Sequence, residues 1–259
     1  MRNIIVDIAS LGQDALVKAL ENKELNILGV TVSPDVENYD DLCNLNINAV
    51  KQVKDVPVFK GAQRPLLLKD YIAGKTCPVT ETEYKFEEKH AVNFLIDSAN
   101  EVEDLEILCL GTLSNVALAI LKDEEAMKKV KRIYIAGGAL LGWQTTTPTS
   151  QHNILADVEA AETVFRAGID LTLIPAHITD NLPMTALDVV LGAECETWDA
   201  FLTMDTGIGF TRGQTIIDLA GQNPINGFRA TGNKHTVITA VKYSGGKYEK
   251  VYYRHRRRQ

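Results

Sequence analysis

The chain has 259 residues, of which 45% are hydrophobic and 24% charged, and its formal net charge is −7. This composition is that of an ordinary globular protein, which excludes a fibrous or largely disordered chain. The negative charge and a pI near 5.3 argue against a nucleic-acid partner. No apolar run reaches the roughly 18 residues that a membrane helix requires, so the sequence also predicts no membrane partner.

Short apolar runs alternate with helical patterns through the first two thirds of the chain. The predicted strands are 3–8, 25–32, 56–59, 105–110, 132–136 and 171–175, and the predicted helices are 39–53, 87–100, 114–121 and 156–167, with another starting at 14. Strands that alternate with helices at intervals of roughly 25–30 residues are typical of βαβ units and a parallel sheet.

The last third has a different pattern. Its strand-like runs, 201–205, 214–219, 236–241 and 250–253, are separated by glycine-rich turns, which predicts an antiparallel extension of the sheet. The fold class predicted is therefore α/β, with three layers, a mostly parallel sheet and helices on both faces. We predict a single domain over 1–253 and a basic tail over 254–259, interpreted as a solvated end, with a phosphate or partner contact as the alternative.

The four cysteines are widely separated, and none forms a C-x-x-C pair. This usage is typical of reduced thiols in a cytosolic protein. The first three residues lead directly into a predicted strand, so we expect no signal peptide and a cytoplasmic location.

Two carboxylates, Asp7 and Asp14, flank the loop after the first predicted strand. Ligands of an open parallel sheet bind beyond the carboxyl ends of its strands. A carboxylate pair at that place can hold a hard cation or act as a general base. The structural alternative is that Asp14 caps its helix while Asp7 accepts hydrogen bonds from loop amides.

Several motifs, in the same order along the chain, resemble those of the inosine-uridine-preferring nucleoside hydrolase family. Residues 7–15 (D-I-A-S-L-G-Q-D-A) resemble its D-x-D-P-G-x-D-D-A, and 151–161 (Q-H-N-I-L-A-D-V-E-A-A) resemble its E-F-N-I-x-x-D-P-E-A-A. Further similar stretches are 57–61, 64–66, 110–119, 135–139 and 211–215. The resemblance implies the nucleoside hydrolase fold, a ribonucleoside or ribose as small-molecule partner, a homo-oligomer, and purine or pyrimidine salvage as the context.

In that family a calcium ion binds the ribose hydroxyls, and an Asp activates the water that attacks the anomeric carbon. The resemblance implies calcium ligation by Asp14 and by the main-chain carbonyl of Ser114, with Asp7 as a supporting carboxylate. Ala9 and Gln13 stand where the family has two further carboxylates. Because calcium takes about six to eight oxygen ligands, several of them anionic, these losses weigh against high-affinity calcium binding and predict a degenerate site.

The resemblance also implies five substrate-binding residues. Asn153 matches the ribose-binding Asn, Gln151 replaces a neighbouring Glu, and Gln13 replaces a ribose-contacting Asp. Asp35 falls near the Asn that follows the second strand, and His152 replaces an aromatic residue at the pocket. Gln13 and Gln151 can hydrogen-bond to a hydroxyl, whereas His152 can stack on a base, with a surface role in its loop as the alternative.

The candidates for activating water are Asp7 and His177, which lies in 175–179 (P-A-H-I-T) where the family has P-L-D-V-T. A structural histidine is the alternative at 177. The helical segment and H-D pair that the family carries further on have no counterpart. Two functions stay open: an N-ribosyl hydrolase, or a non-catalytic nucleoside-binding or assembly protein that kept the scaffold. A third hypothesis is a different small-molecule hydrolase that uses His177 and Asp14.

Overall fold

The structure is a computed structural model that describes residues 1–69, 71–139, 146–179, 186–218 and 235–241. Its strands are β1 (Arg2–Ile8), β2 (Leu25–Val32), β3 (Val58–Lys60), β4 (Glu106–Cys109), β5 (Arg132–Ala136), β6 (Leu171–Ile174), β7 (Cys195–Met204), β8 (Thr215–Asp218) and β9 (His235–Val241). Its helices are α1 (Gln13–Glu21), α2 (Tyr39–Val53), α3 (Ala91–Glu101), α4 (Ser114–Lys122), α5 (Glu124–Met127), α6 (His152–Leu155), α7 (Val158–Arg166), α8 (Ala176–Thr179) and α9 (Ala186–Val190).

The strands form one sheet in the order β3-β2-β1-β4-β5-β6-β9-β7-β8. Pairing is parallel from β3 through β6 and on to β9, and antiparallel where β7 pairs with β9 and with β8. The predicted mostly parallel α/β sheet is confirmed. The antiparallel extension consists of β7 and β8, because β9 joins β6 in parallel.

Two hydrophobic clusters lie on opposite faces of the sheet. Successive residues of β4 alternate between them: Ile107 and Cys109 belong to one cluster, and Leu108 to the other. Helices α3, α4, α5 and α7 contribute to the first cluster, whereas α1, α2 and α9 contribute to the second. A sheet covered on both faces explains why these strands are near-continuous apolar runs. Full burial of one such isoleucine contributes about 1.5–3 kcal/mol.

Two predicted boundaries are wrong. The helix predicted over 87–100 begins at Ala91, where His90 Nδ1 accepts a hydrogen bond from the Val92 amide at 3.2 Å and caps the first turn. The strand predicted at 201–205 already begins at Cys195, because residues 195–200 pair with β9. That partner lies about 40 residues away in the chain, so no local pattern could reveal the pairing. The strand predicted at 250–253 and the tail at 254–259 lie outside the described residues.

In the described part of the chain, no helix has the length and apolarity needed to cross a bilayer.

Gly61, which follows β3, touches a buried asparagine. A Cβ at Gly61 would lie 2.1 Å from Asn115 Oδ1, the atom that accepts a hydrogen bond from the Ala62 amide at 2.8 Å. We expect Gly61→Ala to lower the free energy of unfolding by about 1–3 kcal/mol, since Asn115 must move and lose bonds. Urea unfolding measures this loss of stability. Gly209→Ala is the control, because the methyl group added there would enter open space. Equal stability of the two variants would contradict the packing described.

Candidate functional site

The strand order reverses between β1 and β4, which are neighbours in the sheet. The helices that follow these strands pack on opposite faces, because α1 belongs to one hydrophobic cluster and α4 to the other. The loops 9–12 and 110–113 therefore diverge at the carboxyl end of the sheet. Such a switch point is where open α/β sheets bind ligands.

Asp35, in the loop after β2, is fully buried at this end of the sheet. Its carboxylate accepts hydrogen bonds from the Ser10 amide at 3.2 and 3.1 Å and from Ser10 Oγ at 2.5 Å. His152 Nε2 lies 3.1 Å from Asp35 Oδ2. The carboxylate thus joins the first loop of the chain to helix α6.

Lys75 completes this group, which we call the Asp35 cluster: Ser10, Asp35, Lys75 and His152. Lys75 Nζ lies 3.2 Å from His152 Nδ1. An ammonium has only donors and a carboxylate only acceptors, so His152 Nδ1 accepts and Nε2 carries the proton that it donates to Asp35. The two contacts thus place Lys75 and Asp35 on opposite ring nitrogens of His152.

Asn153 is held by the ends of two adjacent strands. Its Nδ2 donates to the carbonyl oxygens of Leu110 at 2.9 Å and of Ala136 at 2.8 Å. Its backbone amide donates to Gln151 Oε1 at 2.9 Å. Asn153 is 5% exposed, and its Oδ1 has no partner among the described atoms. A buried acceptor without a partner costs free energy, and the hydroxyl of a ligand would satisfy it.

Asp7 lies on β1 beneath this edge and is fully buried. Asn115 Nδ2 approaches its Oδ1 at 3.5 Å, and its Oδ2 has no hydrogen-bond partner among the described atoms. Burial raises the pKa of Asp7 to about 7, and the hydroxyls of Ser33 and Thr31 and the Asn115 amide only partly oppose that shift. Burial dominates because Oδ2 has no hydrogen bond of good geometry among the described atoms.

The three residues predicted to bind metal, Asp7, Asp14 and Ser114, have different surroundings. Asp14 is exposed on the first turn of α1. Ser114 is buried, and its Oγ donates to Asp157 Oδ2 at 2.5 Å, which links α4 to the cap of α7. Gln13 Nε2 donates to the Ala9 carbonyl at 3.3 Å and lies 3.5 Å from Asn46 Oδ1. Neither contact of Gln13 involves a charged group.

Comparison with known proteins decides the family. The sequence model of the inosine-uridine preferring nucleoside hydrolases matches residues 4–202. This chain belongs to that family. Uridine nucleosidase 1 of Arabidopsis thaliana is 34% identical over 194 residues, 70% of this chain and 58% of the relative. The pyrimidine-specific ribonucleoside hydrolase RihB of Escherichia coli O9:H4 (strain HS) is 30% identical over 206 residues, 74% of this chain and 65% of the relative.

Solved structures support the same nucleoside hydrolase fold. A plant nucleoside hydrolase, the PpNRh1 enzyme, superposes with a TM-score of 0.78 at 21% identity and covers 93% of this chain and 95% of its own. A purine-preferring ribonucleoside hydrolase from Gardnerella vaginalis superposes with a TM-score of 0.73 at 20% identity, covering 93% and 94%. The chain spans less than two thirds of the length of the two curated relatives above.

The described residues of this chain do not form a site that fits calcium. No group of three or more His, Cys, Asp or Glu side chains among them is placed to hold a metal ion. Ala9 presents a buried methyl group, and a Cβ added at Gly111 would lie 2.7 Å from it, so backbone closes around this position.

The structure brings four of the predicted site residues into two pairs: His152 contacts Asp35, and Gln151 accepts from the Asn153 amide. His177 lies in helix α8, and its side chain is outside the described atoms. Sequence reasoning missed Lys75, which lies in an irregular segment with no helical or strand period. It also missed Ser10, because the family has proline there and a serine in a loop carries no signal of its own.

Proposed function

We propose that this chain binds a ribonucleoside at the carboxyl end of its sheet and recognises it by the ribose hydroxyls. The observation that carries the proposal is the Asn153 side chain, which two strand-end carbonyls orient while its buried Oδ1 stays without a partner among the described atoms. A ribose hydroxyl supplies the missing donor. Gln151, whose Oε1 accepts from the Asn153 amide, fixes the same turn.

The family and its named relatives support a ribonucleoside as the ligand. The relatives carry the names uridine nucleosidase and pyrimidine-specific ribonucleoside hydrolase. We infer from them that uridine is the first compound to test. Assembly into a homo-oligomer and a cytoplasmic location stay predictions from the sequence.

Titration calorimetry with D-ribose and uridine tests the proposal. We expect Asn153→Ala to weaken binding by roughly 10–100-fold, because a buried hydrogen bond to the ligand is worth about 1–3 kcal/mol. Asn93→Ala, which changes an asparagine on the partly exposed side of α3, is the matched control and keeps wild-type affinity. Circular dichroism of each variant verifies folding. Absence of binding to the wild type, or full binding by Asn153→Ala, would overturn the proposal.

The second candidate function is hydrolysis of the N-glycosidic bond. The observation that favours it is the Asp35–His152 pair, since a carboxylate orients the ring, and His152 Nδ1 can act as a general base once Lys75 no longer donates to it. Asp7 and His177, the two candidates from the sequence, stay proposals for this role. Asp7 is fully buried, so a water would have to enter the interior to reach it.

Release of uracil from uridine, followed by chromatography, tests hydrolysis. On this second candidate we expect turnover in EDTA at the same rate as in calcium, with a loss of about 10²–10⁴-fold in His152→Gln when the histidine acts as base. Binding of uridine without uracil release, in both buffers, would favour the non-catalytic alternative.

A further inference from the structure

We propose that the Lys75 ammonium is the cation of this site, donating hydrogen bonds to the ribose hydroxyls in place of a divalent metal ion. The inference rests on the proposed function, because it names a group that holds the same ribose. The ligand class is a neutral ribosyl compound with free hydroxyls. Lys75 is therefore proposed as a binding residue whose ammonium takes the place of the divalent metal ion.

The position of Lys75 is fixed by the backbone around it. Its carbonyl oxygen accepts a hydrogen bond from the Glu37 amide at 2.8 Å. Two residues further on, the Cys77 amide donates to Asn38 Oδ1 at 3.0 Å, and Asn38 Nδ2 donates back to the Cys77 carbonyl at 2.9 Å. These three bonds join the segment to the loop after β2, which also carries Asp35. The backbone of Lys75 is therefore held next to the loop of Asp35, and its ammonium is held by the contact with His152 Nδ1.

Charge at the cluster is balanced by the lysine. Asp35 is fully buried, and its carboxylate contacts His152 Nε2 on one side and Ser10 on the other. Burial lowers the pKa of Lys75, and the negative charge of Asp35 acts against that change. A buried carboxylate needs a counter-charge, which Lys75 supplies within the chain. A divalent ion at the same place would meet repulsion from the ammonium.

The donors of Lys75 match what a sugar needs. An ammonium has three donors, and His152 Nδ1 takes one of them. Two remain for ligand oxygens. The next residue after His152 is Asn153, whose Oδ1 is an acceptor without a partner among the described atoms. Hydroxyls both donate and accept, so one ribose hydroxyl can accept from the ammonium, and a hydroxyl that reaches Asn153 Oδ1 can donate to it.

Titration calorimetry with D-ribose and uridine, each in EDTA and in calcium chloride, tests the ribose contact. We expect wild-type affinity to be equal in the two buffers and at least about tenfold weaker in Lys75→Met. Lys75→Arg keeps the charge and restores part of the affinity, which a merely structural role would not produce. Lys69→Met, an exposed lysine of the same segment, is the control and binds like the wild type. Tighter wild-type binding in calcium would overturn the inference.

Terbium luminescence tests the cation position without any sugar. Lys75→Glu places a carboxylate beside Asp35, so we expect it to bind Tb³⁺ at least about tenfold more tightly than the wild type. Equal terbium binding by the two proteins would overturn the inference. Equal ribose binding by the wild type and Lys75→Met would overturn the inference about Lys75 without contradicting the proposed function. Absence of wild-type binding to both ligands would overturn the proposed function and the ribose contact together.

Discussion

Asp35→Ala is expected to lower the free energy of unfolding by about 1–3 kcal/mol, the range for leaving a buried donor without its hydrogen-bond partner. The carboxylate accepts bonds from the Ser10 amide, the Ser10 hydroxyl and His152 Nε2. Without it, these donors lose their partner, and Lys75 loses the negative charge beside it. Because the cluster joins the first loop to α6, we also expect loss of ribose binding. Urea unfolding at pH 7 and calorimetry measure the two effects.

Asp55→Ala is the matched control for this change. The Asp55 side chain is 95% exposed, and its pair with Lys51 lies on the surface. Exposed pairs contribute about 0–1 kcal/mol, so this variant should unfold almost like the wild type. Asp35→Asn should fall between the two, because it keeps one acceptor oxygen. If Asp35→Ala and Asp55→Ala proved equally stable, the cluster would not join the loops as described.

Asp7 should make the protein lose stability as the pH rises. Its pKa is about 7 in the folded chain, against an ordinary value of 3.8. Between these values the folded state binds a proton that the unfolded state releases, so the free energy of unfolding falls with rising pH. This contribution is fully present below the lower pKa and is lost as the pH rises through the upper one. From pH 5 to pH 8 the loss amounts to about 2–3 kcal/mol.

Asp7→Asn removes the titrating group and should remove this part of the pH dependence. The variant should therefore gain stability relative to the wild type between pH 5 and pH 8. Urea unfolding at several pH values measures the difference, and Asp55→Asn, at an exposed site, should follow the wild-type curve. Parallel curves for Asp7→Asn and the wild type would mean that the buried carboxyl titrates in its ordinary range.

Much of the fold was predictable because it depends on local patterns. The apolar runs of β1, β4 and β6 depend on short stretches of sequence, and the order of motifs indicated the family. The His90 cap that sets the start of α3 was not predicted. The length of β7 was not predictable, since its first residues are strand only through pairing with β9. The residues of the candidate site also differ in how far the sequence predicted them. Asn153 stood in a recognisable motif, whereas Lys75 stood in none.

The sequence by itself determined the α/β scaffold, the family and the replacement of two family carboxylates by Ala9 and Gln13. Periodicity and motif order carry that information because each depends on residues close together in the chain. Only the tertiary structure decided that Ser10, Asp35, Lys75 and His152 meet, since they come from four separate segments. It also decided that Asp7 is buried with a raised pKa, because desolvation depends on what packs around a carboxyl and not on its neighbours in sequence.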